Sequence, residues 1–344
     1  MVLESKCRMN NLDEEVVFSS GAKMKNRFML APLTNTQSHE DGLLSDEEFH
    51  WLTMRAEGSF GITMTCATHT QAYGKGFPGQ LGIFGDEHID GHGRLATAIK
   101  NENSLAVLQL HHAGIRSPSD LINGTPLGPS ADEETGARAL SLGEVEVLRD
   151  DFVRSAERAK EAGYDGVEVH GAHGYIICAF LSTLTNRRDD VYGGSLDNRA
   201  RLLFEIVNGI RETCGDNFLI GVRLSPERFG MDLGEIKIIC QRLINSGEID
   251  FLDISLWDSF KDANDPKYQE KKLLEHFTDL DMKEVKLTVA GNIRSAEDVR
   301  TVIDAGVDFV TIGRAAILHH DFPQRVLDDD NFVPISLPAS RNYL

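Results

Sequence analysis

The chain has 344 residues, 41% hydrophobic and 26% charged, and its 54 acidic residues against 35 basic ones give a net charge of −19. That composition suits a globular protein with a sizeable core, and the acidity argues against nucleic acid or an anionic membrane as partner. Five cysteines (Cys7, Cys66, Cys178, Cys214 and Cys240) show no C-x-x-C and no metal-ligand spacing. They argue against a zinc ribbon, a ligand-dense iron–sulfur site and a secreted disulfide framework. No apolar run approaches the ~20 residues of a membrane span. The start, Met1 to Glu15, is polar and has no signal-peptide core, so a soluble cytoplasmic protein is expected.

Residues 1–25 read as a small hairpin at the bottom of the fold. Eight short runs of Val, Ile, Leu and Phe then follow, at 28–30, 61–65, 105–110, 166–169, 219–224, 251–254, 286–290 and 309–312. Runs of this length without alternation fit strands buried on both faces. Helical patterns lie between them. Ser141 and Glu144 form a capping-box signature, Leu148, Phe152, Val153, Ala156 and Ala159 share one face, and Gly163 is a natural stop. Ser295 and Asp298 open a second such helix, with Val299, Val302 and Ile303 apolar and Gly306 past its end.

Strands alternating with helices imply a parallel sheet. Eight units predict one (β/α)8 TIM barrel over 1–344. A doubly wound open sheet competes, but its G-x-G-x-x-G turn is missing after the first strand. The long segments 68–85 and 115–140 follow strands two and three and are expected to cap an active site. The tail, 331–344, reads as a segment that packs on a partner subunit, which leaves a homo-oligomer open.

In such a barrel the chemistry sits at the strand C-termini. There the sequence places Thr34, Ala67, Gln109, His111, His112, His170, His173, Tyr175, Arg223, Trp257, Gly291, Asn292, Gly313 and Arg314. Gly291 and Gly313 allow backbone N–H groups close to an anion, and Arg314 can fork onto its oxygens, so strands seven and eight suggest a phosphate site. The other reading is two turn glycines and a solvated arginine. His170 and His173 lack a third metal ligand nearby. As neutral imidazoles they can donate to a carbonyl oxygen, and Tyr175 can supply a proton. Alone, they read better as a polar loop whose rings bond to backbone.

Together these residues resemble the Old Yellow Enzyme family of FMN-dependent ene-reductases, also called NADH:flavin oxidoreductases. The resemblance runs from about Lys25 to about Ala316. It rests on Asn26-Arg27 leading to Ala31-Pro32-Leu33-Thr34, on Gln109-Leu110-His111-His112-Ala113-Gly114, and on His170-Gly171-Ala172-His173-Gly174-Tyr175. The last of these continues through Asn186 and Arg188 to Tyr192-Gly193-Gly194-Ser195 and Asn198-Arg199, and Arg223 and Ile312-Gly313-Arg314 complete the pattern.

The resemblance implies bound FMN and NADPH or NADH as reductant, with an enone or nitroalkene as substrate. Pro32, Leu33, Thr34, Ala67, Gln109, His170 and Arg223 would face the flavin. Gly291, Asn292, Gly313 and Arg314 would hold its phosphate. His170 and His173 would bind the substrate carbonyl, with Trp257 over the substrate and Tyr175 as proton donor. Two departures stand out: Ile115 follows the H-A-G where the family has Arg, with Arg116 one later, and Asn292 follows Gly291 where the family often has Gly. A flavin-dependent amine dehydrogenase and an FMN-binding redox shuttle are the alternatives. An aldolase would need a Schiff-base lysine at a strand end, and no strand end carries one.

Overall fold

The computed structural model describes residues 11–335. Eight parallel strands close into a barrel in sequence order. They are β1 (Phe28–Leu30), β2 (Ile62–His69), β3 (Leu105–His111), β4 (Gly166–Gly171), β5 (Leu219–Leu224), β6 (Phe251–Ser255), β7 (Lys286–Ala290) and β8 (Phe309–Ile312). Nearly every strand residue is buried, because helices cover the outer face and side chains fill the interior. The two capping boxes start helices Leu142–Glu161 and Ala296–Asp304, with Ser141 and Ser295 each bonded reciprocally to the third helical residue. The barrel therefore replaces the open-sheet alternative.

The interior is layered. Its lower half is apolar: Met29, Ile62, Met64, Val107, Leu219, Phe251 and Phe309 form one cluster. Gly221 on β5 is required there, since a Cβ would lie 2.0 Å from the Phe251 ring. An antiparallel ribbon, Val16–Val17 with Lys23–Met24, crosses beneath. It places Phe18 5.9 Å from Phe309 and 6.1 Å from Phe251, centroid to centroid, and so closes that end. The upper half is polar, and it is this half that faces the long loops.

That polarity explains where the strands outrun the apolar pattern. Strand β2 continues to His69, β3 to His111 and β4 to Gly171. Beyond the apolar runs they carry Ala67, His111 and His170, of which an apolar-run rule reads the two histidines as loop. The Thr65 and Thr68 hydroxyls meet at 3.1 Å, beside a register shift between Met64 and Ala67. The segment 68–85 is consequently shorter as a loop and holds a turn at Ala72–Gly74. The segment 115–140 carries a two-residue pairing of Leu127–Gly128 with Arg138–Ala139. The first ten residues and 336–344 lie outside the described residues. Among the described residues no helix is long and apolar enough to cross a membrane.

Candidate active site

Strand register sets the floor of the site. Ala67 pairs with Gln109 and Gln109 with Glu168, while His170 pairs with Arg223 and Arg223 with Asp253. All of these are buried. The Gln109 amide nitrogen donates to Glu168 Oε1 at 2.7 Å and to His170 Nδ1 at 3.2 Å. Arg223 Nε lies 3.2 Å from Asp253 Oδ2. Two carboxyls thus share one guanidinium in a dry interior. Burial first, then the Asp253 charge, pushes the Glu168 carboxyl well above its ordinary range, and burial raises Asp253. Both shifts disfavour two ionised carboxylates beside one guanidinium. Glu168 Oε2 and Arg223 Nε have no hydrogen-bond partner.

Above this floor β4 delivers His170 and turns sharply. His173 and Gly174 have φ of +61° and +73°. A left-handed histidine is strained, and two bonds hold it. The His173 backbone N–H donates to Ser225 Oγ at 3.0 Å, and its Nε2 lies 2.8 Å from Ser255 Oγ. The turn returns His173 over the barrel mouth, with ring centroids 5.1 Å from His170 and 6.3 Å from Tyr175, while His170 and Tyr175 lie 5.3 Å apart. Sequence spacing predicted this trio, and the fold brings it together. Burial holds the His170 imidazole well below its usual range. Burial, then Arg223, Arg116 and Arg228, hold His173 down to about 3. Both rings are neutral at pH 7. With His170 Nδ1 accepting from Gln109, its Nε2 carries the hydrogen.

His111 is a third imidazole at this site, and the sequence reading gave it no role. Its ring lies 4.4 Å from Tyr175 and 5.6 Å from His170. A chain of bonds fixes its tautomer. Gly76 N–H donates to Gln80 Oε1 at 2.6 Å, so the Gln80 nitrogen is a donor, to Ala67 O at 2.7 Å and to His111 Nδ1 at 3.0 Å. His111 Nε2 therefore carries the hydrogen, buried and unpartnered. The signal in the sequence was the His111-His112 doublet at a strand end. Gln80, thirty residues upstream, had none.

The other end of the site is cationic. Gly291 lacks a side chain for a packing reason: a Cβ would lie 2.9 Å from Asp258 N, and Ser259 donates its N–H and hydroxyl to Gly291 O. Beside Gly313 there is room, since a Cβ would meet nothing nearer than 3.8 Å. Partial burial, then the nearby Arg294, lower the Arg314 pKa, while Asp258 opposes this. Arg294, which sequence reasoning missed, makes a second guanidinium here. Among the described residues neither Arg294 nor Arg314 has a carboxylate within 4.0 Å or a side-chain hydrogen bond, although most arginines of this acidic chain do. Thr34 is exposed and Pro32 and Leu33 half-buried at the end of β1. Trp257 stands at the rim, 55% exposed.

Known proteins resemble this chain over most of its length. A family model described as NADH:flavin oxidoreductase / NADH oxidase matches residues 18–331. The chain is 36% identical over 329 residues to a probable NADH-dependent flavin oxidoreductase of Bacillus subtilis, covering 92% of this chain and 87% of the relative. It is 35% identical to an NADH:fumarate oxidoreductase of Klebsiella pneumoniae, matching 89% of this chain but only 35% of that longer protein. The Old Yellow Enzyme homologue of Zymomonas mobilis superposes with a TM-score of 0.81 at 29% identity, over 92% of each chain.

The residues present fit an FMN. Two guanidiniums with no carboxylate within 4.0 Å among the described residues suit a phosphate at one end, and the buried Gln109 amide and Arg223 guanidinium suit the polar edge of a flavin ring at the other. The chain belongs to the NADH:flavin oxidoreductase / NADH oxidase family, the Old Yellow Enzymes, and is an FMN-dependent NAD(P)H oxidoreductase.

Proposed function

We propose that the enzyme uses NAD(P)H to reduce the activated C=C bond of an α,β-unsaturated carbonyl or nitro compound. The observation that carries this reading is the trio of His170, His173 and Tyr175 over a buried polar floor, two neutral N–H donors beside one phenol. The Klebsiella relative is named for fumarate, itself an activated alkene, which supports the substrate class. Bound FMN would supply the hydride chemistry that links the nicotinamide to the alkene β-carbon.

The chain's own residues do the rest. Pro32, Leu33, Thr34, Ala67, Gln109 and Arg223 would hold the flavin ring, with Thr34 tuning its potential through a hydroxyl hydrogen bond. Gly291, Asn292, Gly313, Arg314 and Arg294 would hold its phosphate. His170 and His173 bind the carbonyl or nitro oxygen and stabilise the negative charge it gains as the β-carbon is reduced. Because both rings are neutral, they donate hydrogen bonds without giving up a proton. Tyr175 then protonates the α-carbon. Trp257 covers the outer face of the substrate.

Reductant and alkene share one site, so they visit in turn. Initial rates with NADPH and 2-cyclohexenone both varied should give parallel double-reciprocal lines, with cyclohexanone as product. Intersecting lines, or NADPH consumption without cyclohexanone, would reject the reading.

A further inference from the structure

Two arginines at the mouth of the site remain without a counter-charge. Arg116 follows β3 in the position shifted by one from the family motif, and Arg228 lies in the loop after β5. Both are exposed, and among the described residues neither has a carboxylate within 4.0 Å. On this chain of net charge −19, surface arginines such as Arg94, Arg158, Arg242 and Arg325 each hold an acidic partner, and these two do not.

Their placement gives the reason a ligand consequence. The Arg116 guanidinium carbon lies 5.0 Å from the Tyr175 ring centroid, and Nη1 donates to the His173 carbonyl. Arg228 lies 4.3 Å over the Trp257 ring. Phe229, next to Arg228, stands 6.4 Å from the His173 ring. A Cβ on Gly174 would touch Phe229 at 3.1 Å and Arg116 Cδ at 3.8 Å, so the two loops flank the same turn. Apart from the Arg116 Nη1 bond to His173, the aromatic partners leave the guanidinium edge donors free for an anion, since stacking uses only the face.

We propose that Arg116 and Arg228 form an anion-holding pair beside the histidines, so that a molecule docked over His170 and His173 presents a carboxylate or phosphate to the mouth. This rests on the reductase reading for which molecule docks. Two sources share the chemistry: a carboxylate borne by the alkene substrate, and the diphosphate of the nicotinamide dinucleotide.

Equilibrium binding to the oxidised holoenzyme separates them and needs no turnover. Three probes suffice: 4-oxopentanoate, its neutral methyl ester, and ADP-ribose. In Arg116→Gln/Arg228→Gln, binding of one anionic probe should weaken about tenfold relative to the ester, and that preference should fall with added salt in the wild type. Loss confined to 4-oxopentanoate assigns the pair to the substrate, and loss confined to ADP-ribose assigns it to the dinucleotide. Arg116→Lys/Arg228→Lys, which keeps the charge, should restore most of the effect. Unchanged ratios for both anions, or an equal loss in the lysine variant, would overturn the proposal. NADPH oxidation by (E)-4-oxopent-2-enoate tests the reductase reading separately, because the binding ratios hold whether or not electrons are transferred.

Discussion

Enzyme with Tyr175→Phe should be reoxidised by 2-cyclohexenone about 10²- to 10⁴-fold more slowly than wild type, the usual contribution of a positioned general acid. Reduction by NADPH should change far less, because that half-reaction takes no proton from the protein. Tyr175 is singled out by elimination among the groups that flank it. His170 and His173 are neutral, and losing a second proton from a neutral imidazole at pH 7 is out of reach. His111 is neutral too, its Nδ1 committed to Gln80. The phenol, ringed by His111 at 4.4 Å and His170 at 5.3 Å, is the acid within reach. Stopped-flow measurement of the two half-reactions checks this. A variant that loses both rates equally would place Tyr175 in binding, and one that loses neither would remove it from the mechanism.

The second large effect is acid unfolding near pH 5. Burial lowers His69 and His92 to about 4 and His112 and His173 to about 3, with His111 and His170 shifted the same way. The sign follows from linkage. These groups bind protons in the unfolded chain below its pKa near 6.5 but not in the folded one. Their stabilisation is present above about pH 6.5 and is lost as the pH falls toward 4. At pH 5 each depressed group costs about 2 kcal/mol, so the four with the clearest values cost about 8, against a total of about 5–15 for a domain. Glu168 and Asp253, raised by burial, have the opposite sign: between their ordinary unfolded pKa of about 4 and their raised folded pKa they add stability as the pH falls, which offsets part of the histidine loss. The transition temperature, followed by near-ultraviolet circular dichroism, should drop steeply between pH 6.5 and 5. A flat profile over that range would show that these imidazoles titrate normally.

The barrel was legible because burial on both faces leaves an unmistakable mark, short runs such as 219–224 and 309–312 with no alternation. It became illegible where the interior turns polar. His170 and His111 belong to strands, yet both read as loop residues, since nothing in one sequence tells an inward polar side chain from a solvated one. The His170, His173 and Tyr175 trio was legible from local spacing alone, as five residues of chain cannot separate them far. The long-range partners were not. Gln80 meets His111 across the barrel rim, Asp253 meets Arg223 from the next strand, and Arg294 joins Arg314 from a different loop. Such pairings are set by strand register, which the sequence does not display. Gly291 shows the converse: a glycine that suits an anion site is also demanded by the Trp257–Asp258 backbone pressed against it.

The most direct test of the account is an anaerobic titration of the purified holoenzyme followed by visible absorbance. NADPH should bleach the flavin band, and 2-cyclohexenone added in the absence of oxygen should restore it, with one enone consumed per flavin. A flavin that stays bleached in the presence of the enone, or a protein that binds no FMN at all, would contradict it.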